Sequence, residues 1–148
     1  MRRSRANHTL HTVPPTGSAE YAHLHDTRVW EAAGRVVGGF PAVTGDSVPS
    51  RWGRASLPMR LGGLGIRSAV RTAPAAYWAS WADALPMLKA RLPGIAAQAV
   101  QILDGGLPSG TCLDEVLEAG RLLDREGFLS RPFFAALAAG ARPPEPVQ

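Results

Sequence analysis

Apolar residues recur every three or four positions along much of the chain, which is the spacing of an amphipathic helix. The spacing predicts a first helix over residues 19–37, with Ser18 as its N-cap and Gly38-Gly39 at its end. Residues 1–13, which precede it, are polar and basic and alternate only weakly. We expect a short strand or an extended arm there.

The helical spacing gives way to alternation between residues 55 and 66. Residues 40–54 are predicted to form a loop. Leu57, Met59 and Leu61 then alternate with polar or small residues, as in a short strand. Three glycines follow within four positions, at Gly62, Gly63 and Gly65. Because glycine permits a positive φ or a close backbone approach, we expect a strand or hairpin that ends in a tight turn.

A longer helical pattern begins after Ser68 and is apolar on two faces. One face carries Ala73, Ala76, Tyr77, Ser80 and Ala84, and the other carries Trp78, Trp81, Leu85 and Leu88. Pro74 lies inside the pattern, so we expect a kink or a restart there, with Thr72 as a second cap. A helix that is apolar on two faces is typical of the middle of a bundle.

Three shorter helices are predicted after it, over about 94–103, 112–125 and 131–139. The second has Thr111 as its N-cap with Asp114 three positions later, which approximates a capping box. The third has Ser130 as its N-cap, and the residues from about 141 are predicted to be a disordered tail. The predicted fold class is mainly α: a small bundle of about five helices with a short strand or hairpin near residues 55–66.

Charge is spread unevenly along the chain, whose formal net charge is +4. Residues 1–82 contain ten arginines and four acidic residues, a net charge of +6. Residues 83–148 contain six basic and eight acidic residues, a net charge of −2. A basic first half favours a polyanionic partner, most readily a nucleic acid.

The densest basic group consists of Arg51, Arg54, Arg60, Arg67 and Arg71. Arginines that neutralise several phosphates give binding that is steeply salt-dependent and largely independent of base sequence. Trp52 lies among them in the predicted loop and is a candidate for stacking on a base. A helix N-terminus after Gly65 is a second candidate phosphate site. Two alternatives stay open: that the arginines are only a solvated surface, and that the glycines only form a turn.

Other chemistry is sparse. Cys112 is the only cysteine, which excludes a disulfide within the chain and a cysteine-based zinc site. Two histidine pairs occur, at His8 and His11 and at His23 and His25, and neither spacing converges on a metal in the elements predicted for it. We expect no cofactor. The sequence has no apolar run of the ~20 residues that a membrane span needs and no signal-peptide pattern, so we expect an intracellular protein without membrane attachment.

Several pieces of the sequence occur in a distinctive order. A Pro-Pro break follows the basic start, and a helix with an internal acid, Asp26, comes next. The stretch LPMRLGGLGIRSA, residues 57–69, then leads into an Ala-rich helix with an aromatic residue and an Ala-Ser pair. In this order and spacing, residues 5–84 resemble the region just downstream of the catalytic domain in reverse transcriptases of non-LTR retroelements.

The resemblance implies a thumb-and-connector region over residues 1–84 and a helical extension over residues 85–148. In that family the region grips the primer–template duplex, so RNA or an RNA–DNA duplex is the implied partner. Polymerase chemistry needs metal-binding carboxylates, typically an adjacent Asp-Asp pair, and this sequence contains no such pair. We therefore expect a non-catalytic fragment or remnant without the palm, and not an enzyme.

The candidate nucleic-acid-binding residues are Arg54, Arg60, Arg67, Arg71 and Trp52, with Gly62, Gly63 and Gly65 as the residues that shape the turn. A different class of function also stays open, that of a helical protein-interaction module without a nucleic-acid role. In that case the helix with Trp78 and Trp81 would dock a partner. An exposed apolar patch beside these two residues would favour docking, and a buried pair would count against it.

Overall fold

The computed structural model describes residues 5–36, 38–39, 48–128 and 131–141, and their regular structure is helical. The α-helices in these ranges are α1 (Arg5–Thr12), α2 (Pro15–Val36), α3 (Val48–Ser56), α4 (Ala69–Arg91), α5 (Pro93–Gly105), α6 (Leu113–Arg125) and α7 (Phe134–Ala138). A single 3-10 turn occupies Met59–Leu61. The prediction of a mainly helical fold is confirmed. No helix in these ranges has the length and apolar character needed to cross a bilayer.

The predicted strand or hairpin near residues 55–66 is wrong, because none of the described residues lies in a strand. Ala55 and Ser56 instead end α3, and the chain then folds back on that helix. The backbone N–H groups of Leu64 and Ile66 both donate to the Ala55 carbonyl, at 2.9 and 3.3 Å. The N–H groups that a strand would offer to a neighbour are thus satisfied within the turn.

Two predictions of irregular structure in the first third of the chain are also wrong. Arg5–Thr12 forms a helix rather than a strand or arm, with Leu10 buried as its anchor. Val48–Ser56 forms α3 where we predicted a loop. Both helices are short, and contacts with distant residues stabilise such helices more than their own propensity does. Residues 40–47, which complete the predicted loop, lie outside the described ranges.

The helix predicted over residues 19–37 corresponds to α2, which begins earlier than predicted. Pro15 is its first residue, a position where the fixed φ and missing N–H of proline cost little. Ser18 is therefore not the N-cap; it is buried inside the first turn, where its hydroxyl donates to the Pro15 carbonyl at 3.5 Å. The predicted end is confirmed, since Gly38 and Gly39 both have positive φ.

The long helix α4 runs without interruption from Ala69 to Arg91, so the predicted restart at Thr72 is wrong. Ser68 caps it as predicted, because its hydroxyl accepts from the Arg71 N–H at 3.2 Å. The Thr72 hydroxyl donates to the Ser68 carbonyl at 2.6 Å, an interaction within a helix and not a cap. Pro74 lies in the second turn, where it removes one backbone hydrogen bond without ending the helix.

The packing divides the chain into two compact units. The core unit comprises Met1–Ser18 and Ala73–Gln148, and the turn unit comprises Ala19–Thr72. The division predicted at residue 84 follows from the resemblance and stays a prediction.

The core unit contains a continuous apolar cluster, in which α5 contacts both α6 and α7. Its buried members are Tyr77, Trp78, Ala82, Leu85, Ala99, Leu103, Leu113, Val116, Ala119, Leu123, Phe134, Leu137 and Ala138. The rings of Trp78 and Phe134 lie 5.5 Å apart between centroids. The two apolar faces predicted for α4 thus lead to a buried helix, as expected for the middle of a bundle.

Residues just outside the helices complete several helix ends in the core unit. Gly106, in the left-handed conformation, ends α5, and Gly127, which also has a positive φ, follows the end of α6. At the start of α6, the Asp114 backbone N–H donates to the Thr111 carbonyl at 3.1 Å, but the Asp114 side chain does not bond to Thr111. The Asp114 carboxylate accepts from the backbone N–H groups of Ser109 and Gly110, at 2.7 and 2.9 Å. The predicted capping box is therefore displaced toward the preceding loop. Ser130, the predicted cap of the last helix, lies outside the described ranges.

The turn unit has a much thinner interior. Among its described residues, those that are buried are small: Ala22, Ala55, Ser68 and Ala69. Its largest packed pair is Trp30 of α2 and Trp52 of α3, whose rings meet edge to face at 5.4 Å and 66°. Alanine-sized contacts bury little apolar area, so this unit relies on backbone hydrogen bonds and on the tryptophan pair.

Candidate nucleic-acid interface

The glycine turn is fixed by a dense set of backbone hydrogen bonds. The Pro58 carbonyl accepts from Leu61 at 2.8 Å and from Gly63 at 3.2 Å. The Leu57 carbonyl accepts from Gly65 at 2.9 Å. Together with the two bonds to Ala55, these contacts hold residues 57–66 against the end of α3. The predicted tight turn is confirmed.

Each of the three glycines has a separate geometric reason. Gly62 and Gly65 have φ of +79° and +66°, which side-chain-bearing residues rarely adopt. Gly63 has an ordinary φ, but a Cβ atom there would overlap the carbonyl oxygen of Leu57. The glycines are therefore explained by the fold of the turn, without any bound group.

The N-terminus of α4 holds an anion that belongs to the protein itself. The carboxylate of Asp26 in α2 accepts from the Ala69 N–H at 2.7 Å and from the Val70 N–H at 3.2 Å. The Ser68 hydroxyl donates to the same carboxylate at 2.7 Å. The N–H groups that would bind a phosphate are already occupied, so the idea that this helix end is a phosphate site is wrong.

Four predicted arginines lie around this turn, and all four are exposed. Arg54 is in the last turn of α3 and Arg60 is in the 3-10 turn. Arg67 lies just before α4, and Arg71 lies in the first turn of that helix. Ile66, just before Arg67, donates its backbone N–H to the carbonyl of Ala55, just after Arg54. This hydrogen bond brings the backbone beside Arg67 close to the backbone beside Arg54. The structure describes no side-chain position for Arg51.

The charge balance of this surface is one-sided. Residues 48–72 contain five arginines and no acidic residue. Within the part of the chain that the structure describes, the guanidinium groups of Arg60 and Arg67 have no hydrogen-bond or ion-pair partner. The nearby acid of the turn unit, Asp26, is engaged by α4 and by His25, whose Nδ1 atom lies 3.5 Å from its carboxylate. Two exposed cations thus have no counter-charge among the residues that the structure describes.

Trp52 is half-buried against Trp30 rather than standing free beside the arginines. Its contact with Trp30 fixes α3 to α2 and thereby fixes the start of the turn. Stacking of Trp52 on a base stays a prediction.

Sequence reasoning missed two features of this surface. One is the role of Asp26, whose partners lie 42 to 44 positions away and leave no local pattern. The other is that the apolar residues of the turn face solvent: Leu57, Met59, Leu61 and Leu64 are exposed by 40, 79, 60 and 43%. Their alternation pointed to a strand with one buried face. An arginine between two apolar residues fits a half-buried strand as well, so the local pattern held no signal against one.

The helix that was the candidate protein-docking surface lies inside the core unit. Trp78 is only 6% exposed, and the Arg131 guanidinium covers its ring at 5.7 Å from the centroid. Trp81 is half-buried and packs on the same cluster. Among the described residues, this burial of Trp78 counts against an exposed apolar patch centred on the pair.

A cleft of about 270 Å³ lies beside Trp78 in the core unit. Its charged residues are engaged in the fold. Arg131 pairs with Asp124 at 2.7 Å. Asp104 accepts from the N–H groups of Phe134 and Ala135 at 2.8 and 2.9 Å, and so caps α7. This arrangement supports packing rather than chemistry.

The histidines are placed differently from the prediction. His8 and His11 lie in α1, not in an extended segment, so their spacing of three puts them on the same side of a helix. Even so, among the residues that the structure describes, no three His, Cys, Asp or Glu side chains come together as a metal site.

Comparison with protein-family models, with curated proteins and with solved structures finds no match to this chain.

Proposed function

We propose that the turn unit binds RNA or an RNA–DNA duplex without sequence preference, as a non-catalytic relative of reverse-transcriptase thumb regions. The residues assigned to phosphate contacts are Arg54, Arg60, Arg67 and Arg71. One observation carries the proposal: residues 48–72 present arginines without any acid, on a turn whose backbone is fixed. The resemblance of residues 5–84, which includes this stretch, is a second support.

The physical argument rests on the state of the arginines before binding. An arginine that leaves an internal ion pair must give up that interaction to reach a phosphate. Arg60 and Arg67 have no such partner among the described residues. The backbone next to each is also held, by hydrogen bonds that Leu61 and Ile66 donate, so less backbone entropy is lost on binding. The guanidinium fork suits phosphate oxygens, and contacts of this kind position a nucleic acid without reading its sequence.

The test is a titration of the full chain into a labelled RNA strand and into the same strand paired with DNA, followed by fluorescence anisotropy. Salt is varied from about 50 to about 200 mM. The variant Arg60→Ala/Arg67→Ala should weaken binding on the order of tenfold and lower the slope of log K against log salt by about 1 to 2.

A matched control variant loses the same amount of positive charge in the core unit. Lys89 and Arg91 are exposed in the last turn of α4 and belong to the core unit. The variant Lys89→Ala/Arg91→Ala should leave the slope nearly unchanged. Equal losses in the two double variants would mean that only net charge matters, and undetectable binding at about 50 mM salt would overturn the proposal.

A further inference from the structure

Large apolar side chains are exposed on the same turn that carries the arginines. Leu57, Met59, Leu61 and Leu64 lie within eight positions and are 40 to 79% exposed. Scattered exposed apolar residues are ordinary, but a cluster on a short rigid segment marks an interaction surface. We refer to these four residues as the apolar cluster of the turn.

The fold does not account for the apolar cluster. The 3-10 turn Met59–Leu61 has no buried residue, and Met59 and Leu61 are 79 and 60% exposed, so each buries little area that would favour an apolar side chain. The turn itself is held by backbone hydrogen bonds and by glycines, neither of which depends on these side chains. A polar residue at either position would satisfy the fold equally well.

The positive charge around the apolar cluster limits the kinds of partner that can bind there. Arg60 lies between Met59 and Leu61 in the sequence, and no acid occurs in residues 48–72. The complementary partner is therefore anionic and also offers apolar faces. A single-stranded nucleic acid has both properties, because its phosphates alternate with bases whose faces are open. An A-form duplex keeps its base faces stacked and offers mainly phosphates and 2′-hydroxyl groups.

We propose that the nucleic acid bound by the turn unit is single-stranded, with unpaired bases packed on Met59 and Leu61 and phosphates held by Arg60 and Arg67. This inference rests on the proposed function and specifies its ligand. It gives the two kinds of side chain separate roles. The arginines set the salt dependence, and the apolar residues set the preference for single strands over duplexes.

The experiment compares a labelled RNA strand of about 12 nucleotides with the same strand in an RNA–DNA duplex, using the full chain. The single strand should bind about tenfold more tightly, although the duplex carries more charge. The variant Met59→Ser/Leu61→Ser should lose most of that preference without a change in salt slope. Both side chains are exposed, so thermal unfolding of the variant should match that of the unmodified protein.

A matched control makes the same chemical change on exposed apolar residues of the core unit. Met87 and Ile95 are 56 and 54% exposed, and Met87→Ser/Ile95→Ser should leave the preference intact. The comparison of strand and duplex on the unmodified protein tests the idea without any variant.

The outcomes separate this inference from the proposed function. Equal affinity for strand and duplex would overturn the single-strand preference and leave the proposed function standing. Failure to bind either would overturn both. Binding to vesicles of phosphatidylcholine and phosphatidylserine, without binding to the RNA strand, would assign the apolar cluster to a lipid surface and overturn both as well.

Discussion

The carboxylate of Asp26 links two helices of the turn unit that are far apart in sequence. It accepts hydrogen bonds from Ser68, Ala69 and Val70, and so adds a second cap to α4 beside the Ser68 hydroxyl. Asp104 likewise caps α7 in the core unit. Carboxylates are favourable at helix N-termini because they satisfy free N–H groups and complement the helix dipole. Both residues are therefore expected to matter more for stability than their partly exposed positions indicate.

Replacement of Asp26 tests this role. Asp26→Ala leaves two backbone N–H groups and one hydroxyl without an acceptor, and should lower the free energy of unfolding by about 2 kcal/mol. Asp26→Asn keeps one acceptor and should lose about half as much. Urea unfolding followed by circular dichroism measures both. Asp83, an exposed acid in α4, provides the control, and equal losses in Asp83→Ala and Asp26→Ala would contradict the cap.

Asp114 gives a test by pH. The backbone N–H of Ser109 is the main cause that holds the pKa of Asp114 below its ordinary value of 3.8, with further hydrogen bonds from the Ser109 hydroxyl and the Gly110 N–H. A lowered folded pKa adds stability that is present above the unfolded value and is lost as the pH falls through the folded value.

The unmodified protein should therefore be more stable than Asp114→Asn between about pH 7 and about pH 5, and the difference should shrink as the pH falls below about 4 through the lowered folded pKa of Asp114. Melting temperatures across this range measure the difference. Ser109→Ala, which removes one of the donors to Asp114, should show a smaller effect of the same sign. A difference that stays constant down to about pH 2 would contradict the argument.

The turn between α3 and α4 shows where local sequence was sufficient and where it was not. Three glycines in four positions predicted a turn, and their backbone geometry confirms it. Alternation in the same stretch predicted a strand, which is wrong because the apolar residues face solvent. A periodic pattern reports burial only if a partner element covers one face, and here no residue of the 3-10 turn is buried.

Gly63→Ala tests the turn as a structural element. The added methyl group would overlap the Leu57 carbonyl, so the turn must open, at a cost of about 2 kcal/mol or more. The arginines on either side would then lose their fixed spacing, and RNA binding should weaken in parallel. Urea unfolding and anisotropy measure the two effects.

Gly53→Ala is the matched control for this variant. Gly53 lies in α3 beside Arg54 and has open space around its Cβ position. Alanine there should stabilise the helix by up to about 1 kcal/mol and leave binding intact. A similar loss of stability in both glycine variants would contradict the steric explanation.

Some helices could be predicted from the sequence and others could not. α4, α5 and α6 have long apolar faces and clear ends, and the pattern located each of them. α1 and α3 contain eight and nine residues and lack such a face. α3 is held by the contact of Trp52 with Trp30, a tertiary interaction that propensity cannot reveal.

The large buried side chains are distributed unevenly between the two units. The core unit contains the large buried side chains, including Leu85, Val116 and Leu137, whereas the described interior of the turn unit consists of alanines and one serine. Local stability follows buried apolar contact, so the turn unit is expected to open at a lower free energy than the core unit. The proposed binding surface therefore lies on the less stable part of the chain.

Hydrogen exchange measured by mass spectrometry tests this asymmetry and the ligand together. Without ligand, amides of residues 55–66 should exchange faster than those of α5 and α6, although most of that turn is hydrogen-bonded. A ligand that binds only the closed turn stabilises it by about 2.7 kcal/mol at one hundred times its Kd, which slows exchange about a hundredfold. Single-stranded RNA should thus protect residues 55–66 and leave α5 and α6 unchanged. Protection that is uniform over both units would mean that the RNA stabilises the protein as a whole, and the turn would then not be the binding surface.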